Sequence, residues 1–129
     1  MFWFTSQDHL PIGREKEDAF ADGWHKGYED GRKGFRDIVG WAHNRNLIHG
    51  STAQAQMVKL MEEAGELAGG IAKDKPDVIA DSIGDCAVVL IILAEQCGLD
   101  FADCVAQAYD EIKYRKGRMV DGFFVKEGD

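Results

Sequence analysis

The feature that most constrains this chain is an apolar segment, residues 86–94, that follows three aspartates spaced four residues apart. Asp77, Asp81 and Asp85 share one helical face, because residues at i and i+4 lie one turn apart. The segment after them is apolar on every side, which is typical of a buried helix. The acidic stripe therefore leads into the core, and Asp85 should lie close to apolar neighbours. A carboxylate in such a place needs a cation, hydrogen bonds or a proton.

A second helical pattern, over residues 51–73, carries a matching set of acids. At about 100° per residue, its apolar residues fall on one face and its glutamates on the opposite one. The apolar face consists of Met57, Leu60, Met61, Ala64, Leu67, Ala68 and Ile71. The acidic face consists of Glu62, Glu63 and Glu66. Such a face is usually just solvated, but two helices with clustered carboxylates favour a site for Mg²⁺ or Mn²⁺, whose preferred ligands are oxygens.

These two stretches resemble the EExxE and ExxD signature of the all-α nucleoside triphosphate pyrophosphohydrolases, the MazG-like proteins related to dimeric dUTPases. The matching segments are residues 59–67 (KLMEEAGEL) and residues 81–85 (DSIGD). The segment 108–122 is similar to the C-terminal part of the small, single-domain and often phage-encoded members. The resemblance covers residues 35–126 and departs at one position, where Ser82 replaces the expected signature glutamate.

The resemblance implies hydrolysis of an NTP or dNTP to the monophosphate and pyrophosphate, for nucleotide clean-up or pool control. It implies a Mg²⁺ cofactor, with Mn²⁺ as the other candidate, held by Glu63, Glu66 and Asp85. Asp81 is the expected substitute for the missing signature glutamate. Glu62 is the expected residue to orient or deprotonate the attacking water.

A basic cluster follows the fourth predicted helix and contains Lys113, Arg115, Lys116 and Arg118. Cations suit the negative end of a helix, which is the ordinary explanation for such a cluster. The resemblance assigns phosphate binding to it, and the predicted substrate-binding residues are Lys59, Lys113, Arg115 and Lys116. For Lys59, pairing with Glu63 within the helix is an equally good interpretation.

Composition limits the classes of protein to which the chain can belong. A net charge of −8 argues against general nucleic-acid binding, which needs a basic face. Cys86, Cys97 and Cys104 form no metal or redox motif and are expected to be reduced. No targeting or membrane-spanning segment is visible, so the expected location is the cytoplasm of a bacterium, or of the host for a phage-encoded protein. At 129 residues the chain is short for a site between four helices, which favours a homodimer or homotetramer.

The predicted fold is all-α, with a four-helix-bundle-like core and a short C-terminal β-hairpin around Asp121-Gly122. Residues 35–129 form the predicted MazG-like domain, and residues 1–34 an N-terminal arm or extra helix. Within the latter, an aromatic stripe stands beside a glycine stripe: Phe20, Trp24, Tyr28 and Gly23, Gly27, Gly31. A flexible polar arm and a helix that needs a partner surface are equally good interpretations.

Two other functions are compatible with a helical protein of this kind. A non-enzymatic oligomerisation or adaptor protein would leave the acidic faces merely solvated, and divalent ions would not stabilise it. A di-iron bundle is excluded because no histidine stands in a Glu-x-x-His pair.

Overall fold

The computed structural model describes the backbone of residues 14–128 and the side chains of residues 29–128. Within them, no helix is both long and apolar enough to cross a membrane. The elements are α1 (Arg14–Asn44), α2 (Ala53–Ala72), α3 (Pro76–Gln96), α4 (Phe101–Ile112), β1 (Gly117–Val120) and β2 (Phe123–Lys126). The predicted all-α class with a C-terminal hairpin is confirmed.

Helices α2 and α3 form the best-packed unit, an αα-hairpin joined by a three-residue turn. Thr52 caps α2 by accepting a hydrogen bond from the backbone N–H of Ala55 at 3.1 Å. The turn places Asp74 in the left-handed region, with φ of 51°, and Pro76 begins α3. Near this end the helices approach closely, since a Cβ at Gly70 would lie 3.0 Å from Cγ1 of Val78.

Helices α1 and α4 pack against the C-terminal half of α3. The core there consists of Ala42, Ile48 and Ile92, with Leu47 and Val88 packed against it. The start of α4 is fixed by Arg32, which donates to Asp103 at 2.8 Å and to Asp100 at 3.5 Å, and by an edge-on contact of the Phe35 and Phe101 rings. Asp100 also caps α4, because it accepts a hydrogen bond from the backbone N–H of Asp103.

Helix α1 is not confined to the predicted MazG-like domain that starts at residue 35. It begins at Arg14 and passes position 34 without a break, so the helical interpretation of residues 14–34 is confirmed for the backbone. The side chains of the aromatic stripe lie outside the described residues, as do residues 1–13. The division of the chain into segments 1–34 and 35–129 stays a prediction.

Helix α2 buries the boundary between its apolar and acidic faces. Its buried line consists of Gln56, Glu63 and Gly70, spaced seven residues apart. Of the apolar face, Leu60, Ala64 and Leu67 are half-buried, whereas Met57, Met61 and Ile71 remain 43%, 58% and 62% exposed. The partner surface is α3, where Ser82 is buried and Asp85 half-buried.

The hairpin has the predicted turn. Asp121 and Gly122 both have positive φ, 50° and 84°, which is the signature of a type I′ turn. The register pairs Val120 with Phe123 and Gly117 with Lys126.

Candidate metal centre

Three carboxylates from α2 and α3 come together where the two helices face each other. Glu63 and Glu66 lie one turn apart on α2, and Asp85 reaches them from α3. Each offers an oxygen that lies within 4.8 Å of the other two. The arrangement brings together ligands that the sequence analysis assigned to one metal ion.

Glu63 is the centre of this group and is only 6% exposed. Its Oε1 forms an ion pair with Nζ of Lys59 at a distance of 3.0 Å. Its Oε2 is buried and has no hydrogen-bond partner among the described residues. A buried carboxylate oxygen without a partner is costly, typically by about 1–3 kcal/mol or more for a charged group. A divalent cation bound by the three carboxylates would satisfy this oxygen, so the donor set fits Mg²⁺ or Mn²⁺.

The electrostatics of the group also favour a bound cation. Lys59 holds the pKa of Glu63 below its ordinary value, so Glu63 is ionised. The charge of Glu63 in turn raises the pKa of the neighbouring Glu66 carboxyl. Burial, followed by the charge of Asp81, raises the pKa of Asp85. Protons therefore bind Glu66 and Asp85 more readily than they bind ordinary carboxyls, and a bound cation would oppose their binding.

The remaining predicted residues of the acidic site lie at its edge. Asp81 is exposed and does not belong to the group of three carboxylates, although its charge influences Asp85. Ser82, at the signature's glutamate position, is buried and 2% exposed. Glu62 is exposed and lies 3.3 Å from Nζ of Lys59. Its role toward water stays a prediction, as does the ligand role of Asp81.

Lys59 forms ion pairs within its own helix, to both Glu62 and Glu63. These contacts raise the pKa of Lys59, with the hydrogen bond to Glu63 as the largest cause. The interpretation of Lys59 as a partner of Glu63 is therefore confirmed. Its predicted contact with substrate phosphate is untested.

The structure does not bring the basic cluster to the carboxylates within one chain. Lys113 forms an ion pair with Asp110 at 2.8 Å. Over residues 29–128, the acidic site forms no ion pair with Arg115, Lys116 or Arg118. Helix α4 contacts α1 and α3 but not α2. No Cα atom of either strand lies within 8 Å of a helix over residues 29–112.

The predicted basic cluster lacks one cation of this region. Lys126 lines a groove at the base of the hairpin together with Lys116 and Arg118. The signal was available in the sequence, because a type I′ turn at Asp121-Gly122 fixes the register and thereby sets residue 126 opposite residue 117.

The carboxylate site lies within a segment that matches a known protein family. Residues 51–120, more than half of the chain, match the family model described as the MazG nucleotide pyrophosphohydrolase domain. The chain is 60% identical over 65 residues to a protein described as an uncharacterized 18.2 kDa protein in the rep-hol intergenic region of Haemophilus phage HP1 (strain HP1c1). That similarity covers 50% of this chain and 40% of the phage protein, so the chain spans less than half of this relative. No solved structure matches the chain.

Proposed function

This chain belongs to the MazG nucleotide pyrophosphohydrolase family, and we propose that it hydrolyses a nucleoside triphosphate, NTP or dNTP, to the monophosphate and pyrophosphate. Nucleotide clean-up or pool control in the cytoplasm is the proposed role. The observation that carries the proposal is the buried, unpartnered Oε2 of Glu63 beside Glu66 and Asp85. An acidic face that is merely solvated, as in a helical adaptor protein, gives no reason to bury a glutamate in this way.

Glu63, Glu66 and Asp85 would hold Mg²⁺, and Asp81 is the proposed fourth ligand. Bound there, the ion would neutralise triphosphate charge and make the attacking water easier to deprotonate. Lys59 holds the Glu63 side chain in place and keeps it ionised. Glu62, exposed at the edge of the site, accepts a proton from the attacking water. The new bond joins the water oxygen to the α-phosphorus, and the bond from that phosphorus to the bridging oxygen breaks, so that pyrophosphate leaves.

The test is incubation with each common NTP and dNTP and Mg²⁺, with separate assays for pyrophosphate and orthophosphate. Pyrophosphate and the monophosphate are the expected products. A nucleoside diphosphate with orthophosphate as the main product would rule out attack at the α-phosphorus. Release of neither product from any nucleotide, with Mg²⁺ or Mn²⁺, would overturn the proposed activity.

We also propose that the working form is a homodimer or homotetramer. The exposed apolar residues of α2 support this, since they form a stripe that a single chain leaves in water. Sedimentation velocity over a range of concentrations tests it, and a monomer at every concentration would refute it.

A further inference from the structure

We propose that Lys59 determines which divalent ion the carboxylate site prefers, because it engages one oxygen of Glu63 and leaves the other as a single ligand. A site built in this way favours Mg²⁺ over Ca²⁺. The inference rests on the proposed function for the role of the ion in hydrolysis. The preference itself is a property of metal binding and can be measured without nucleotide.

The two carboxylate oxygens of Glu63 have different surroundings. Oε1 lies 3.0 Å from Nζ of Lys59, whereas Oε2 is buried and has no hydrogen-bond partner among residues 29–128. Glu63 is only 6% exposed, so its close-packed carboxylate has little room to exchange the two oxygens. A cation that binds Glu63 therefore finds one oxygen available and the other held by an ammonium group.

The ion pair of Lys59 is a property of α2 alone. Lys59 contacts Glu62 three residues later at 3.3 Å and Glu63 four residues later at 3.0 Å, and pairs at these spacings form within a single helix. The Lys59 side chain is 46% exposed, so its ammonium reaches Glu63 from the solvent side. Its hold on Oε1 therefore does not depend on how α3 adjusts to a bound ion.

The other two carboxylates of the site carry no such constraint. Glu66 is exposed and Asp85 half-buried, and over residues 29–128 neither forms an ion pair with a lysine or an arginine. Lys59 thus restricts one ligand of the three, the buried one. A single substitution at Lys59 is enough to remove the restriction.

The number of available oxygens distinguishes the two kinds of ion. Ca²⁺ binds about six to eight oxygens and often takes both oxygens of one carboxylate, whereas Mg²⁺ keeps an octahedral shell that includes several waters. With Oε1 engaged by Lys59, Glu63 cannot serve as a ligand through both oxygens. This loss weakens Ca²⁺ binding more than it weakens Mg²⁺ binding.

Displacement of Mn²⁺ from the nucleotide-free protein measures the preference. Protein loaded with Mn²⁺ is titrated with Mg²⁺ and, separately, with Ca²⁺, and the electron paramagnetic resonance signal of released Mn²⁺ gives the ratio of the two affinities. Lys59→Met should shift this ratio toward Ca²⁺ by about tenfold or more, as expected for loss of a residue that orients a metal ligand. Lys59→Arg keeps the charge and the N–H donors and should retain the wild-type ratio.

Lys73→Met is the matched control. It removes an exposed lysine at the C-terminal end of α2 and changes the net charge by the same amount, so the ratio should stay at the wild-type value. An unchanged ratio in Lys59→Met, or an equal shift in Lys73→Met, would overturn the inference. Absence of Mn²⁺ binding by the wild-type protein would overturn it as well.

Glu62→Gln provides a second variant that decides the matter even if Lys59→Met does not fold. It removes one of the two acceptors of Lys59 and leaves the ion pair with Glu63. Lys59 then holds Oε1 at least as firmly, so the ratio should not move toward Ca²⁺. A shift toward Ca²⁺ in this variant would contradict the role of Lys59.

Pyrophosphate release separates this inference from the proposed function. If Lys59 contacts substrate phosphate instead of orienting Glu63, Lys59→Met raises KM for the nucleotide while the nucleotide-free ratio stays unchanged, and the inference is wrong. If the wild type releases no pyrophosphate from any nucleotide but Lys59→Met shifts the ratio, the proposed function fails and the role of Lys59 in ion preference stands.

Discussion

The α2–α3 pair and the C-terminal arm, which we define as residues 105–126, differ in how their side chains are packed. In the pair, even a charged residue is buried: Glu63 is 6% exposed and is held by Lys59. In the arm, large apolar residues are exposed although the local geometry, with its type I′ turn and paired strands, is regular. A segment can thus have regular secondary structure without being packed against the rest of its chain. The pair buries its central side chain within the chain, whereas the arm leaves its large apolar side chains exposed over residues 29–128.

The largest effect is expected from a substitution of Glu63, the carboxylate buried between α2 and α3. Glu63→Gln keeps the size of the side chain and its packing but removes the charge that the site is built around, so Mg²⁺-dependent pyrophosphate release should fall at least about 100-fold. The matched control is Glu95→Gln, which alters a half-buried carboxylate that contacts His43 at 3.0 Å, away from the site. Equal activity in the two variants would break the assignment of Glu63.

The second prediction concerns Asp85→Asn, whose effect on stability should change sign when the metal is added. Burial and Asp81 raise the pKa of Asp85, so ionised Asp85 destabilises the metal-free fold at pH values above its raised pKa. This penalty fades as the pH falls toward the ordinary aspartate range and is absent below it. Asp85→Asn should therefore stabilise the protein in EDTA at neutral pH, and the gain should vanish in acid.

With Mg²⁺ the wild type should become more stable than Asp85→Asn. At a metal concentration of 100 times Kd, the wild type gains about 2.7 kcal/mol, and Asp85→Asn, lacking a ligand charge, should gain much less. Thermal melts of both proteins in EDTA and in Mg²⁺ measure the two effects. An equal Mg²⁺ shift in both would contradict the ligand role of Asp85.

Two adjacent glycines of α2, Gly69 and Gly70, test how closely α2 and α3 approach each other. A Cβ at Gly70 would press on Val78 and on Ile79 at 3.0 and 3.3 Å, so Gly70→Ala should destabilise the fold by about 1–3 kcal/mol. Gly69 has open space, so Gly69→Ala should stabilise it by about 0.5–1 kcal/mol through helix propensity. Urea unfolding gives both values, and the same sign for both would contradict the close approach at Gly70.

The smallest effect on stability is expected in the arm. A Cβ at Gly117 would collide with the carbonyl oxygen of Val125 and the ring of Phe124, so Gly117→Ala should disrupt the hairpin. Because the strands do not contact the helices of the described chain, the free energy of unfolding of the dilute monomer should change by less than about 0.5 kcal/mol. Unfolding at low protein concentration tests this. A loss as large as that of Gly70→Ala would show that the hairpin supports its own helical body.

Local signals in the sequence account for where most of the elements begin or turn. Thr52 and Asp100 begin two helices, Pro76 begins another, and Asp121-Gly122 makes the hairpin turn, because caps and turns depend on a few neighbouring residues. The carboxylate set of the site also came from the sequence, through the resemblance of two short motifs and their order. Three of its four predicted ligands, Glu63, Glu66 and Asp85, lie together.

Tertiary structure alone decided which way these elements face. The sequence shows that α2 has an apolar and an acidic side, but burial depends on the partner surface. Here α3 receives Gln56, Glu63 and Gly70 and leaves Met57 and Met61 in water. The separation of the basic cluster from the carboxylates is likewise invisible in a motif, because spacing along a chain does not determine distance in space once a helix such as α4 leads away from the site. Periodicity and capping are local properties of the backbone, whereas the side of a helix that becomes buried is a property of two surfaces together.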